Sequence, residues 1–586
     1  MSRSGAWPII RAYWVSPDSR PGWRLLMAVI ALDLTLVWRA ARITYWQKDF
    51  YDTLQKMDEA AFWPLLAMLV LLALTGLVLS TARTWLAQSL EMRWRAWMTD
   101  VYLKRWLAGS AFWRLEREQH PAGCSVENVD QRLAEDLRML ASDTLSLSLG
   151  LLSNFVSLFT FSAIVWSMSG VLSITLGGAS FEVPGYMLWV ALIYAAGGSW
   201  LMEKIGGRMV AIDYRQQQAE ADFRAALMRI RESAEQIALY GGGHAEHARL
   251  TALFDAVKHN WRDIMIYTKR ITITDNAYTE AGALVPYVLQ GPRVLKGIIT
   301  MGDLIQLTQS FMRVRVALSW FIYKYKSLAL LRSALARLAE FDAALQAAEA
   351  ASNHTQDNAQ DSAARVPRIT RQSGSATDGY TLQDVQALGP RGQALTPVVN
   401  WRIAPGERWM LRGPSGAGKS TLLRALAGLW THGHGCITAP PTPSEDETTA
   451  PGMRVLFAPQ QSYMPPGTLR ACLAYPAAES AFSEADCQAA LRWACLPALA
   501  DRLREHAHWA KQRSPGEQQR LAFARIWLHR PRWLFLDEAT SALDEETEDR
   551  LYTQLARDLP DLTLVSIAHH SSLRRFHDRE LMLERL

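Results

Sequence analysis

The stretch "GPSGAGKST", residues 413–421, satisfies the spacing G-x-x-x-x-G-K-[S/T], and its surroundings make that spacing informative. It follows an apolar run, "ERWMLRG" (407–413), that reads as a β-strand, and it leads into "TLLRALAGLW" (421–430), which reads as a helix. Strand, glycine-rich loop and helix in that order form a cradle for phosphates, because backbone N–H groups turn inward and the helix N-terminus adds positive potential. Gly413, Pro414, Ser415, Gly416, Ala417 and Gly418 are the expected wrapping residues, and Thr421 follows at the start of the helix. Lys419 supplies a cation for the β- and γ-phosphates and Ser420 a hydroxyl for Mg²⁺. The expectation is an α/β P-loop domain that binds ATP with Mg²⁺.

A second segment, "RWLFLDEATSALD" (532–544), delivers Asp537 and Glu538 to the end of an apolar strand, with Asp537 lying 118 positions after Lys419. Asp537 is expected to hold Mg²⁺ through its waters and Glu538 to polarise the attacking water, the main demands that phosphoryl transfer makes on a protein. Just upstream, "KQRSPGEQQRLAFAR" (511–525) reads as a helix with Pro515 near its start. There the missing N–H costs little and a φ near −65° suits the helix. Short β-like segments alternate with helical ones from about residue 379 onward, which predicts a largely parallel sheet.

The part of the chain before this domain has a different composition. Residues 61–81 carry no charge, Thr144 to Phe181 is 38 residues without a charged side chain, and Val183 to Met202 is again uncharged. A bilayer core takes about 20 apolar residues per helix. Two spans are therefore expected across 144–202, separated at "GGASFEVPG" (177–185). Weaker candidates are Trp23 to Ala40, Ile271 to Gln290 and Leu304 to Tyr323, for six spans in all. Nine Lys and Arg fall between Arg83 and Arg138 and eleven between Lys204 and Arg270, against none in 168–185. These two basic connections, and with them both termini, are expected on the cytoplasmic side. Their apolar-periodic patterns predict that the membrane helices continue beyond the bilayer. The N-terminus is expected to be retained rather than cleaved.

The organisation expected is a helical membrane domain over 1–342, a polar linker poor in large apolar residues over 343–378, and the α/β domain over 379–586. The five cysteines form no pair with metal spacing and are read as free thiols. The net charge of +5 comes without a basic run or aromatic-basic interleaving, so positive-inside bias at the lipid bilayer explains the cations better than a nucleic-acid partner, and none is expected. Asp33, Asp275, Glu280, Arg313 and Arg315 lie inside expected spans, where a charge facing lipid costs about 2.5 to 3.5 kcal/mol. They are expected to face a polar translocation cavity or one another.

Taken together, residues 390–586 resemble the nucleotide-binding domain of an ABC transporter. By that resemblance Gln460 in "FAPQQ" is the Q-loop glutamine and a Mg²⁺ ligand, and Ser514, Gly516 and Glu517 belong to the signature. Asp544 in "SALD" is the D-loop aspartate, and His569 in "SIAHH" is the switch histidine, catalytic with Glu538 and Gln460. Arg-Ser-Pro-Gly stands where the family usually writes Leu-Ser-Gly-Gly. The aromatic residue that stacks adenine in the family is missing at the corresponding Gly389 and Pro390, with Tyr380 and Trp401 the nearest candidates.

The membrane half is similar to the SbmA/BacA type of transmembrane domain, on "YWQKDFYDTLQKMDEAAFW" (45–63), "SVENVDQRLAEDL" (125–137), "AEQIALYGG" (234–242) and the run 291–325. "GLWTHGHG" (428–435) and "PPGTLRACLAYP" (465–476) are similar to fused YddA-type transporters and to ABC subfamily D. The resemblance implies an exporter-type fold working as a homodimer, with coupling segments at 125–136 and 226–238. It implies ATP-driven movement of a bulky polar or amphipathic substrate, such as a peptide or a cobalamin-like cofactor, into the cell across the bacterial inner membrane. Efflux of lipid, fatty-acyl or drug-like compounds is the second expectation, and a non-transporting ATP sensor the third.

Overall fold

The computed structural model describes residues 6–117, 128–176, 179–353, 367–375, 379–440, 455–568 and 571–585. The chain divides into two compact units, Met1–Arg105 with Glu127–Ala343, and Trp106–Val126 with Ala344–Leu586.

The first unit is built almost wholly of helices: α1 (Ala6–Val15), α2 (Arg20–Lys56), α3 (Glu59–Leu107), then, after the short α4 (Ala111–Arg117), α5 (Val129–Gln131), α6 (Leu137–Ser169), α7 (Tyr186–Glu232), α8 (Ala234–Leu239), α9 (Gly243–Leu295) and α10 (Met301–Asn353). Six of them run for 33 to 53 residues. At about 1.5 Å per residue the longest measure about 80 Å, far more than the roughly 30 Å of a bilayer core. The stretches Glu59–Glu116 and Val129–Ser169 each hold an apolar window long enough to cross a membrane, with mean hydropathy 2.4 and 1.7. Leu307, Phe311 and Val314 of α10 pack with Met187 and Ala191 of α7, Phe161, Ile164 and Val165 of α6, and Ala41 of α2 to form the interior of this unit.

One expected span ends early. The first of the two spans expected across 144–202 was to run on to the loop at 177–185, but α6 stops at Ser169, where Gly170 takes a φ of 71°. The chain then forms an antiparallel pair, β1 (Val171–Leu176) and β2 (Ala179–Pro184), with Val171 opposite Pro184. Absence of charge does not by itself select a helix, and β-branched Val171, Ile174 and Thr175 favour the extended pleat. The next helix begins directly after Gly185.

The second unit holds two sheets. β6 (Arg408–Arg412), β8 (Val455–Ala458), β11 (Trp533–Asp537), β12 (Thr563–Ile567) and β13 (Arg579–Met582) form a parallel sheet in the order β13-β6-β12-β11-β8. Trp533, Leu534, Phe535 and Leu536 of β11 are all buried, the continuous apolar run of a strand covered on both faces. Because β12 separates β6 from β11, the loops leaving the C-terminal ends of β6 and β11 lie close together across it. Ligand sites of open parallel sheets form at that edge. The second sheet joins β3 (Thr370–Ser373), β4 (Tyr380–Ala387), β5 (Val399–Ile403) and β7 (Gly433–Ala439) in the order β3-β7-β4-β5. The remaining elements are α11 (Lys419–Leu426), β9 (Gly467–Thr468), α12 (Leu469–Ala474), α13 (Glu484–Trp493), β10 (His506–Ala507), α14 (Trp509–Gln512), α15 (Pro515–His529) and α16 (Glu545–Asp558).

Parts of the polar stretch 343–378 are structured. α10 continues to Asn353, and β3 pairs in parallel with β7, Thr370 opposite Cys436. The Arg371 guanidinium donates to the Leu426 carbonyl at 2.9 Å. Residues 106–117, which the sequence suggested were part of the membrane half, group with the second unit. There Trp113 of α4 meets Trp430 edge-on, with centroids 6.4 Å apart, and Arg114 donates to the Ala348 carbonyl at 3.1 Å.

Candidate functional site

The loop between β6 and α11 has the backbone of a phosphate cradle. Gly416 and Gly418 have φ of 84° and 86°. At Gly418 a side chain would collide with the Leu395 carbonyl, so left-handed backbone and close approach both call for glycine. Space around Gly416 is open. Lys419 opens α11 and folds back over the loop, its Nζ donating to the carbonyls of Gly413 at 2.7 Å and Pro414 at 3.1 Å. An ammonium held by neutral carbonyls can be drawn to phosphate without first breaking an ion pair.

Two pairs of expected residues, far apart in sequence, meet at the sheet edge. Ser420 Oγ donates to Asp537 Oδ1 at 2.9 Å, joining the helix after β6 to the end of β11. Gln460, just beyond β8, donates through Nε2 to Glu538 Oε2 at 3.0 Å. Burial lifts the Asp537 carboxyl above its ordinary range, while the Ser420 hydroxyl, Arg424 and Lys419 pull it back. Hydroxyl, carboxylate and amide oxygens are the hard donors that Mg²⁺ takes, so this group fits the ion. Glu538 has a φ of 49°, a left-handed value rare for a residue with a side chain, and its N–H donates to the Ile567 carbonyl of β12 at 3.1 Å. Such strain is held in place by the surrounding sheet and is typical of positions where a side chain is aimed for use. His569 lies outside the described residues.

The departures around the signature have a physical account. Ser514 is the N-cap of α15 and Pro515 its first residue; Ser514 Oγ accepts from Glu517 N at 3.3 Å while Glu517 Oε2 accepts from Ser514 N at 3.0 Å. This reciprocal box satisfies two otherwise orphaned donors. The Ser514 N–H, with help from Arg513, holds the Glu517 carboxyl below the usual carboxylate range. Arg513 lies over the ring of buried Trp509 at 5.5 Å and pairs with Glu517 at 3.5 Å. The guanidinium thus takes the packing role of an aliphatic side chain and adds a cation–π contact.

Gly516 lies against the loop that carries Asp544, where an added Cβ would come 2.9 Å from the Ala542 carbonyl. Asp544 caps α16, accepting from Thr547 N at 3.1 Å. Sequence reasoning passed over Gln519, which bridges these segments: its Oε1 accepts from Ala542 N at 2.9 Å and its Nε2 donates to Ser541 Oγ at 3.2 Å. Its neighbour Gln518 instead binds the carbonyls of Ala510 and Arg513. Nothing in "EQQR" separates the two glutamines; only their positions around the helix do.

Neither aromatic candidate for adenine stacking is available. Tyr380 is 1% exposed, edge-on to Trp533 and Phe535, and Trp401 is 4% exposed against Trp409.

In the helical unit the five charges part company. Asp33 is buried and receives Arg83 Nε at 2.9 Å, so its partner is none of the other four. Arg315 is buried, Arg313 is exposed with its guanidinium 6.0 Å from the Phe161 ring, Asp275 is half-buried and Glu280 exposed. The coupling segment at 125–136 is described only from Asn128. There a π-type turn at Arg132–Asp136 buries Asp136 between Arg132 and the Arg337 guanidinium of α10, at 3.2 and 2.5 Å.

A P-loop cassette whose Ser–Asp and Gln–Glu pairs stand at the sheet edge, preceded by a helical membrane domain, defines an ATP-hydrolysing membrane transporter. The comparisons agree. Residues 9–295 match the model for ABC transporter transmembrane region 2 and residues 397–541 that for the ABC transporter domain. The chain is 30% identical over 575 residues to the inner membrane ABC transporter ATP-binding protein YddA of Escherichia coli, covering 97% of this chain and 95% of that one. It is 25% identical to the human lysosomal cobalamin transporter ABCD4, over 96% and 92% of the two chains. Its fold matches that of a bacterial Atm1-family ABC exporter with ATP bound, with a TM-score of 0.68 at 18% identity over 96% of this chain and 93% of that one. The chain belongs to the ABC transporter family; it is a membrane-integral ATPase that uses ATP and Mg²⁺.

Proposed function

We propose that two copies of this chain pair, so that the Ser514–Gly516 turn of one completes the nucleotide site on the Gly413–Thr421 loop of the other. Closing and reopening of that pair drives a bulky polar or amphipathic molecule inward across the bacterial inner membrane through six spans, with the cassettes and both termini in the cytoplasm. The observation that carries the proposal is the meeting of Ser420 with Asp537 and of Gln460 with Glu538 at one sheet edge. One chain offers one such edge and one signature turn, and the turn's own side chains are engaged with each other rather than with the loop.

Within this site Lys419 neutralises the β- and γ-phosphates, and Ser420, Asp537 and Gln460 present oxygens to Mg²⁺. The ion, when bound, offsets the charge of the phosphates. Glu538 polarises the attacking water, and His569 acts with it. Gly516 and Ser514 meet the γ-phosphate from the second copy, and Asp544 with Glu517 sets the turn that presents them. Arg315, Arg313, Asp275 and Glu280 give the membrane path its polar character. Inward movement rests on the SbmA/BacA-like segments; efflux is the second reading, favoured by the exporter whose fold this chain shares.

The test is ATP-dependent flux in proteoliposomes with peptides, cobalamin and acyl-CoA, comparing wild type with Glu538→Gln. Flux in either direction that disappears in the variant is expected. Equal flux in wild type and variant for every compound, or a protein that stays monomeric in lipid, refutes the proposal.

A further inference from the structure

The buried carboxylates of the helical unit are matched: Asp33 holds Arg83, and Asp136 holds Arg132 and Arg337. The half-buried Asp303 likewise holds Lys48 at 2.7 Å. Arg315 of α10, only 5% exposed, is different: no carboxylate among the described residues pairs with it. Its partners are neutral, Thr279 Oγ1 at 3.3 Å from Nη1 and the ring of Tyr278 5.0 Å from the guanidinium carbon. Among the described residues its Nε and the Tyr278 hydroxyl are both buried without a hydrogen-bond partner.

The surrounding groups are placed rather than loose. Tyr194 of α7 stacks on Tyr278 of α9 with centroids 4.8 Å apart and planes 9° apart, and its hydroxyl donates to the Tyr278 carbonyl at 2.5 Å. Two glycines allow it. A Cβ at Gly198 would strike the Tyr278 ring, and one at Gly282 would lie 3.0 Å from the Tyr194 ring and 3.3 Å from Arg315 Cδ. Three long helices thus converge on one fixed guanidinium. Arg313, two positions away, projects from a different face and is exposed.

A buried cation without a counter-charge is costly in a membrane domain, and unfilled donors at the same place add to that cost. The chemistry that relieves both is an oxygen anion, a carboxylate or phosphate, accepting from a planar guanidinium and a phenol. Resting on the transport reading above, we infer that Arg315, with Tyr278 and Thr279, is the docking point for an anionic group of the molecule that enters the helical unit. The same chemistry is offered by a soluble anion and by an anionic lipid headgroup.

The experiment uses the full-length protein in phosphatidylcholine nanodiscs and follows the melting temperature of wild type, Arg315→Gln and Arg315→Lys. The probes are benzoate and its neutral counterpart benzamide, each also measured in a Lys419→Ala background so that binding at the phosphate loop is separated. Stabilisation by benzoate and not by benzamide is expected, with an apparent affinity at least about tenfold weaker in Arg315→Gln, the loss of one charge-assisted hydrogen bond, and partly kept in Arg315→Lys. Stabilisation by phosphatidylglycerol alone, lost in Arg315→Gln, also supports the anion site and assigns the lipid as its source. No stabilisation of the wild type by either anion, or equal stabilisation of Arg315→Gln, overturns the inference. The measurement needs no hydrolysis. If flux fails while the benzoate effect holds, the transport reading falls and the anion site stands.

Discussion

Replacing Gln519 by Leu tests whether the signature helix and the Asp544 loop act as one piece. The variant keeps the side-chain volume and the apolar fit of a residue that is 5% exposed, and removes two hydrogen bonds, from Ala542 N at 2.9 Å and to Ser541 Oγ at 3.2 Å. Each contributes about 0.5–1.5 kcal/mol net. Ser541 and Ala542 are exposed and can rehydrate, so the cost stays near the sum of the two, about 2 kcal/mol, without a further penalty for a buried orphan. At about 1.36 kcal/mol per factor of ten, the docked pose of the 541–544 loop becomes about 30-fold less favoured. Hydrogen exchange reads this directly, since Ala542 N–H loses its acceptor and should exchange about 30-fold faster. The ATPase rate should fall with ATP binding retained. Gln518→Leu is the control: it frees the carbonyls of Ala510 and Arg513 and leaves Ala542 protected. Unchanged exchange at Ala542 together with an unchanged rate in Gln519→Leu refutes the coupling.

Glu538→Gln should bind ATP like wild type but hydrolyse it about 10²- to 10⁴-fold more slowly, the range for a positioned proton acceptor, whereas Lys419→Ala should lose nucleotide binding itself; filter binding and phosphate release separate the two. In the helical unit, Asp33→Leu leaves Arg83 without its carboxylate and should lower stability by about 1–3 kcal/mol, and the double variant Asp33→Leu/Arg83→Leu should recover part of that loss in a thermal melt. His529 is buried, its Nε2 donating to the Ala474 carbonyl at 3.0 Å, and burial first, then Arg525, holds its pKa below the usual value. A base with a depressed folded pKa is most stabilising when neutral. That contribution is complete above about pH 6.5, the unfolded value, and is lost as the pH falls from there through the folded pKa. His529→Gln should flatten this part of the cassette's stability–pH curve; an unaltered slope counts against it.

The cassette was legible because its chemistry is local. "GPSGAGKST" and "RWLFLDEATSALD" specify backbone shape and strand ends within a dozen residues, and their order along the chain does the rest. Ser514–Pro515–Gly516–Glu517 could likewise be read as a helix start, since a capping box spans only four residues. The uncharged runs announced the membrane half, yet "VLSITL" and "ASFEVP" became β1 and β2, because hydropathy measures transfer and is blind to backbone geometry. The five charges expected inside spans could be picked out but not sorted: burial and partners separate Asp33, held by Arg83, from Arg315, whose partners are neutral.

What the sequence determined by itself was the inventory: an ATP-using P-loop domain, a helical membrane half, and a set of candidate residues for the chemistry. Tertiary structure alone decided who meets whom. Ser420 reaches Asp537 and Gln460 reaches Glu538 only because the parallel sheet sets β6, β12, β11 and β8 side by side. Gln519 rather than Gln518 touches the Asp544 loop because adjacent helical positions point about 100° apart. Tyr380 and Trp401 are closed to a nucleotide because the core covers them. Spacing along a chain encodes local shape, and contacts between distant segments depend on how whole layers pack.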